Sequence, residues 1–296
     1  MLAILALGCD RAEPPAAKPD PSHNAKPATP RLAVLSPAFA ETLRGLGAAD
    51  RIVARHGWDS FSPSAIPPVG NEGGIDYESL LKTNPTHVIM EGGAKDPPSR
   101  LSQLAKDHGW TILRIPNLTL DDIANATAAL AKAAGIAPEI AQDAADRFNA
   151  AFAREDAIAP RAGRVLILIG TDPPAVMGPG SFHYEMVERL GADAIPNEGA
   201  PFIQWSVEDV LKSDPDTLIL ILPGAEADDP AANLGPLAKL NLRCVQRKAV
   251  IVITDPKAHL PATSLAEVAP KLRAAMLSLS QPQAGKKPPS TRGPTP

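Results

Sequence analysis

Six of the eleven aromatic residues in this 296-residue chain fall in three short stretches: Trp58 with Phe61, Phe182 with Tyr184, and Phe202 with Trp205. The first two stretches follow apolar, strand-like runs, and the third precedes an amphipathic helix. In parallel α/β proteins, loops at the carboxyl ends of strands are where ligands bind. Flat aromatic faces there suit a large planar ring, held by dispersion and burial. The competing reading is that these side chains cap the protein's own core. Ser36-Pro37 and Gly180-Ser181 each sit where a strand gives way to a helix, so Ser36 and Ser181 are expected to cap free backbone N–H groups. The same geometry would offer donors to ligand amides or carboxylates. Gly178 and Gly180 allow close backbone approach.

The histidines suggest no dedicated metal site. His87 and His108 fall in or beside core elements, His23 lies in a linker, and His56, His183 and His259 are isolated in loops. Zinc or manganese would need several converging ligands, whereas a metal already held in a planar chelate needs one axial ligand. His56, His183 or Tyr184 could supply it, and a solvated loop histidine is the plainer alternative. No resident cofactor is expected. The chain has no Gly-x-Ser-x-Gly elbow, phosphate loop, His-Glu-x-x-His or Gly-x-Gly-x-x-Gly. An α/β hydrolase-like envelope enzyme stays open as an alternative, because distant carboxylates can meet in space.

A repeat shows how these residues are positioned. The segment from Tyr77 to Ile89 is echoed by Val207 to Ile219, with Glu78, Lys82 and Pro85 matched by Glu208, Lys212 and Pro215. Upstream, Glu41 and Leu46-Gly47-Ala48 are echoed by Glu185 and Leu190-Gly191-Ala192. Two similar lobes with a cleft between them follow, and clefts bind small molecules. Strands are expected at Arg31–Leu35, Arg51–Ala54, His87–Met90 and Thr111–Ile115 in one lobe. A second set is expected at Arg164–Ile169, Ala175–Met177, Thr217–Leu222 and Ala249–Ile253. Helical patterns between them imply Rossmann-like lobes with mostly parallel sheets. Between the sets, residues 120–134 read as a helix that Gly135 breaks. Pro138 restarts it, and Ile140, Ala144, Phe148 and Phe152 mark a buried stripe on one long connecting helix to about Ala157. At 1.5 Å per residue that strut would span roughly 30 Å.

The ends differ in composition. Residues 9–30 are a proline-rich linker and residues 281–296 a tail with too little apolar surface to fold. The ordered parts are residues 31–117, the connecting helices 118–160, and residues 161–280. Residues 1–8 resemble a signal-peptide remnant, and Ala6-Leu7-Gly8-Cys9 resembles a lipobox that would make Cys9 a lipid anchor, although no basic residue precedes it. Cys244, the other cysteine, reads as a small buried hydrophobe. A net charge of −4 with no basic stripe argues against nucleic acid as a partner.

Taken together, residues 31–280 resemble the helical-strut class of substrate-binding proteins that serve ABC importers for vitamin B12, haem and iron siderophores. The carrying segments are Arg31 to Ala38 with Glu41-Thr42-Leu43, Leu46-Gly47-Ala48, Ile66-Pro67-Pro68-Val69-Gly70, the two repeated glutamate segments, and Gly178-Pro179-Gly180-Ser181-Phe182. That last segment and Pro201-Phe202-Ile203-Gln204-Trp205-Ser206 are similar to the vitamin B12-binding branch. The branch's Tyr and Asp-Tyr-Pro-Pro are replaced here by His56-Gly57-Trp58-Asp59-Ser60-Phe61-Ser62-Pro63. The resemblance implies a monomeric periplasmic, lipid-anchored receptor, not an enzyme, that delivers cobalamin to a permease dimer, with haem or a ferric siderophore as the alternative cargo. It also implies cleft positions for Trp58 and Phe202, and permease docking through Glu78 and Glu208.

Overall fold

In the computed structural model, which describes residues 29–71, 73–92, 96–225 and 229–281, all eight expected strands form. The signal, lipobox, linker and nearly all of the C-terminal tail lie outside the described residues. The first lobe runs β1 (Leu32–Val34), α1 (Pro37–Gly45), β2 (Ile52–His56), β3 (Pro68–Asn71), β4 (Gly74–Ile75), α2 (Tyr77–Thr83), β5 (His87–Glu91), α3 (Ser99–His108) and β6 (Thr111–Ile115). Its sheet has the order β4-β3-β2-β1-β5-β6, parallel except for the β3–β4 pair. Side chains alternate across it: Leu32, Val34 and Ile89 face one apolar cluster, Ala33 and Val88 the other. Both faces are covered by helices, as a buried parallel sheet requires.

Two helices follow, α4 (Leu120–Ala134) and α5 (Pro138–Ala151), then α6 (Ala159–Ala162). The second lobe continues with β7 (Arg164–Thr171), β8 (Pro174–Met177), α7 (Phe182–Arg189), β9 (Asp193–Ile195), β10 (Phe202–Gln204), α8 (Val207–Ser213) and β11 (Thr217–Ile221). A 3₁₀ segment (Pro230–Lys239), α9 (Arg243–Gln246), β12 (Val250–Ile253), a 3₁₀ turn (Pro256–His259) and α10 (Leu265–Ser278) complete it. Val165, Ile167, Ile219 and Ile221 face one cluster, while Leu166, Leu168, Leu218 and Leu220 face the other.

The strut differs from expectation. The restarted helix ends after 14 residues at Ala151, short of Ala157, and Ile140 on its proposed buried stripe is 49% exposed. The connection is instead an antiparallel hairpin. Helix α4 places Leu120 and Ile123 in the second lobe's core and Ala126, Leu130 and Ala134 in the first lobe's core. Helix α5 returns with Ala141 in the first core and Phe148 and Phe152 in the second. Two short helices, each with one end in each lobe, resist bending better than one, because any rotation of the lobes must unpack four apolar ends. A capping box at Thr119 and Asp122 fixes the start of α4, and Gly135 in the left-handed region ends it.

The second sheet also departs from a parallel plan. Ala175–Met177 forms a strand, but it turns back antiparallel along β7, and β10 pairs antiparallel outside it. Strands β9, β11 and β12 keep the parallel pattern around β7. The repeat itself is reproduced closely. Helices α2 and α8 are each seven residues long, start at an Asp or Ser cap, and end on Asn84 and Asp214, both left-handed at φ 43° and 37°. Among the described residues, no helix is long and apolar enough to cross a membrane.

Candidate ligand-binding site

In the first sheet the strand order reverses between β1 and β5, so the crevice beyond their carboxyl ends is where a ligand would be expected. Ser36 follows β1 and Glu91 closes β5, and the Ser36 hydroxyl donates to Glu91 Oε1 at 2.6 Å. Ser36 is buried and also accepts from the Phe39 N–H, the capping role its sequence suggested. Its hydroxyl is thus committed to the protein, which orients the Glu91 carboxylate outward, where Glu91 is exposed.

These residues border a cavity of 460 Å³ that both lobes line. The first lobe contributes Ser36, His56, Trp58, Asn71 and Glu91, and the second contributes His259, Leu260 and Pro261. A larger groove of 680 Å³ runs along the α4–α5 hairpin. Five of its eleven lining residues are alanines, none is aromatic, and all come from α4, α5 and the turn between them, so the smaller cavity is the better candidate.

The loop after β2 explains how Trp58 comes to face solvent. Asp59 is buried and its Oδ1 accepts from the N–H groups of Phe61 and Ser62, while the Gly57 N–H donates to the Gly70 carbonyl. On this turn Trp58 is 62% exposed at the cavity wall, its ring edge-on to His56 at 5.5 Å between centroids. The Trp58 N–H donates to His56 Nδ1 at 3.2 Å, so His56 carries its proton on Nε2. Burial holds the His56 imidazole below its ordinary pKa, against the opposing pull of Glu91 and Asp59.

The other expected site residues divide. Phe202, on the edge strand β10, is 55% exposed but is not among the residues that line the cavity. Phe61 does not line the cavity but lies under the Arg44 guanidinium, 5.2 Å from the ring centroid. Trp205 is half-buried against the second lobe's core. Phe182, Tyr184 and Ser181 belong to the interior rather than the cavity. The Tyr184 hydroxyl donates to the Ala194 carbonyl at 2.9 Å, and the Ser181 hydroxyl to the Gly178 carbonyl. His183 is not in a loop but in α7, buried, and bonded to the Ala258 carbonyl, and burial lowers its pKa to about 3. The physical reason is shared: α7 packs one whole face on β7 and β9, and the residues opening that helix are carried inside with it. Gly178 serves a protein contact too, since a Cβ there would lie 2.4 Å from the Ala200 carbonyl.

Glu78 and Glu208 both stand in the first turn of their helices and are exposed. Glu78 pairs with Lys82 at 2.7 Å. Cys244 is buried, and burial raises its thiol to about 11. Among the described residues no group of His, Cys, Asp and Glu could hold a metal ion.

Sequence reasoning missed Glu91 and His259. The signal for Glu91 was a charge directly after the apolar run His87–Met90, at the carboxyl end of a strand. His259 offered only the turn-forming Asp255-Pro256, too common a pattern to single out.

No curated protein sequence matches the chain. Several solved structures share its fold. The periplasmic heme-binding protein RhuT from Roseiflexus sp. RS-1 has 20% identity and a TM-score of 0.66, over 84% of this chain and 98% of that one. The periplasmic vitamin B12 binding protein BtuF of Vibrio cholerae has 22% identity and a TM-score of 0.66, over 83% and 96%. An ABC-type Fe3+-hydroxamate transport protein from Saccharomonospora viridis DSM 43017 has 20% identity and a TM-score of 0.60, over 83% and 93%. These are solute-binding proteins rather than enzymes. The lobes, the hairpin strut and the match of residues 32–229 to one sequence family agree, and the chain belongs to the periplasmic binding protein family.

Proposed function

We propose that this protein is the extracytoplasmic receptor of an ABC importer and that its cargo is a neutral, amide-rimmed corrinoid of the cobalamin type. One observation carries the choice of cargo. Among the described residues lining the cavity there is no Lys or Arg, and the one carboxylate is Glu91. A corrinoid's peripheral amides donate N–H groups that such a carboxylate accepts. Haem propionates or an anionic catecholate would meet like charge instead. At an effective dielectric of about 20 and a separation of about 5 Å, that repulsion is roughly 3 kcal/mol, or more than a hundredfold in affinity. The exposed indole of Trp58 on the cavity wall favours a flat ring over a compact ferric hydroxamate.

The test is one set of titrations of the purified protein with cyanocobalamin, hemin and a ferric hydroxamate. Cyanocobalamin should bind one to one and quench tryptophan fluorescence, and Glu91→Gln should narrow its preference over hemin. Tight hemin binding with no cyanocobalamin binding would refute the cargo while leaving the receptor role standing.

Two further parts of the reading rest on the family resemblance. Lipid on Cys9 would tether the protein to a membrane through the proline-rich linker. Glu78 and Glu208 would present equivalent charges to the two subunits of a permease dimer, their seven-residue helices matching in length and cap. Exposed charges of this kind set register and steer association more than they add affinity.

A further inference from the structure

His259 lies on the second lobe's wall of the cavity, beyond the carboxyl end of β11. Its Nε2 is 2.9 Å from the Ile221 carbonyl. A carbonyl only accepts, so Nε2 carries the proton and Nδ1 holds a lone pair. Among the described residues Nδ1 has no hydrogen-bond partner, and it is not sealed off from solvent. An imidazole whose far N–H is pinned to a backbone carbonyl is the arrangement seen in metal-ligating histidines, because the bond fixes the tautomer and raises the basicity of the free nitrogen. The support is stiff. Asp255 caps the 3₁₀ turn through the Lys257 N–H, Lys257 is bonded to Glu267 at 2.8 Å, and Ala258 is fully buried.

The cavity's other histidine is set the opposite way. His56 uses Nδ1 to accept from the Trp58 N–H, so it presents an N–H donor rather than a lone pair. Of the two, His259 alone has a nitrogen able to bind a metal while its ring remains anchored.

We propose that His259 Nδ1 is an axial ligand to the central metal of the bound chelate. The inference rests on the corrinoid reading of the same cavity. The step is a substitution: the Nδ1 lone pair forms a nitrogen–cobalt bond, an axial water leaves as neutral water, and the oxidation state is unchanged. A flat ring between the lobes then presents one face to His259 and the other to the first lobe, where Trp58 stands. The protein would therefore favour corrinoids with an exchangeable axial position over those with both positions filled.

The probes are diaquocobinamide, whose axial waters exchange, and cyanocobalamin, whose axial positions are filled by cyanide and its own base. Wild-type protein should shift the visible bands of diaquocobinamide, and the reduced cobalt(II) form should show an electron paramagnetic resonance signal split by one ¹⁴N nucleus. His259→Gln keeps an N–H donor for the Ile221 carbonyl but has no imidazole lone pair, so it guards against a folding defect in His259→Ala. In both variants the nitrogen splitting should vanish. The loss of affinity should be at least about tenfold greater for diaquocobinamide than for cyanocobalamin. If wild type binds both corrinoids without nitrogen splitting, or if the splitting survives in the two variants, the axial role is refuted and the cargo reading stands. If wild type binds neither corrinoid, the cargo reading fails and the axial role with it.

Discussion

Replacing Trp58 separates a binding residue from a core residue. Trp58 is 62% exposed, so Trp58→Ala gives up roughly 75–95 Å² of buried surface and should cost at most about 2 kcal/mol of unfolding free energy. The same exposure sets the ceiling on binding. A tryptophan presents roughly 200–250 Å² when fully covered, so about 125–155 Å² of it is left for a ligand to bury. At about 25 cal/mol per Å² this is roughly 3–4 kcal/mol. A ring covers one face rather than the whole indole, and ordering costs subtract further, leaving about 1–3 kcal/mol, the range found for a lost stacking face. Cyanocobalamin affinity should therefore fall between about fivefold and 150-fold by isothermal titration, with a cooperative denaturation transition retained. Tyr184→Phe should do the reverse. It deletes the hydroxyl that satisfies the Ala194 carbonyl inside the core, costing about 1–2 kcal/mol of stability and nothing in affinity. If Trp58→Ala binds like wild type, or if Tyr184→Phe weakens binding without destabilising the fold, this placement of the cavity is wrong.

Three other outcomes follow from the site and its surroundings. His183 is neutral in the folded protein down to about pH 3, whereas its unfolded imidazole gains a proton below its ordinary 6.5. The unfolded state therefore binds the extra proton, and stability is lost as pH falls from 6.5 towards 3 by up to about 1.4 kcal/mol per pH unit. Urea midpoints between pH 7.5 and 5 should show a shallower slope in His183→Gln, and parallel slopes would remove His183 as the cause. Glu78→Arg with Glu208→Arg should leave cyanocobalamin affinity and the thermal midpoint nearly unchanged but abolish uptake in a reconstituted importer, and full uptake would reduce both residues to helix-end electrostatics. Cys9→Ser should move the protein from the membrane to the soluble fraction, because each buried lipid CH₂ contributes about 0.8 kcal/mol, and a wild-type protein that is already soluble would end the anchor reading.

Where a residue's conformation follows from its neighbours in sequence, reading the sequence was enough. Apolar runs rich in branched residues placed β1, β5, β7 and β11, because a strand covered on both faces carries apolar side chains at successive positions. Ser36 and Ser181 were legible as helix caps, since the groups they satisfy lie three residues away. The repeat around Glu78 and Glu208 gave two lobes, and it survives down to matching left-handed residues at Asn84 and Asp214.

Contacts across long separations were decided only by the fold. The stripe from Ile140 to Phe152 did not reveal that α5 shares its load with α4, because an amphipathic face shows that a surface is buried and not what buries it. Phe182 and Tyr184 have the composition of a binding loop, yet α7 docks so as to carry them inside. Glu91 and His259 come from different lobes and share a cavity only because two sheets and a helical hairpin hold their strand ends face to face. The tautomer that frees His259 Nδ1 depends on the Ile221 carbonyl, 38 residues away in sequence. Local sequence determines conformation through short-range sterics and hydrogen bonds, whereas chemistry at a cleft depends on distances that exist only once both cores have packed.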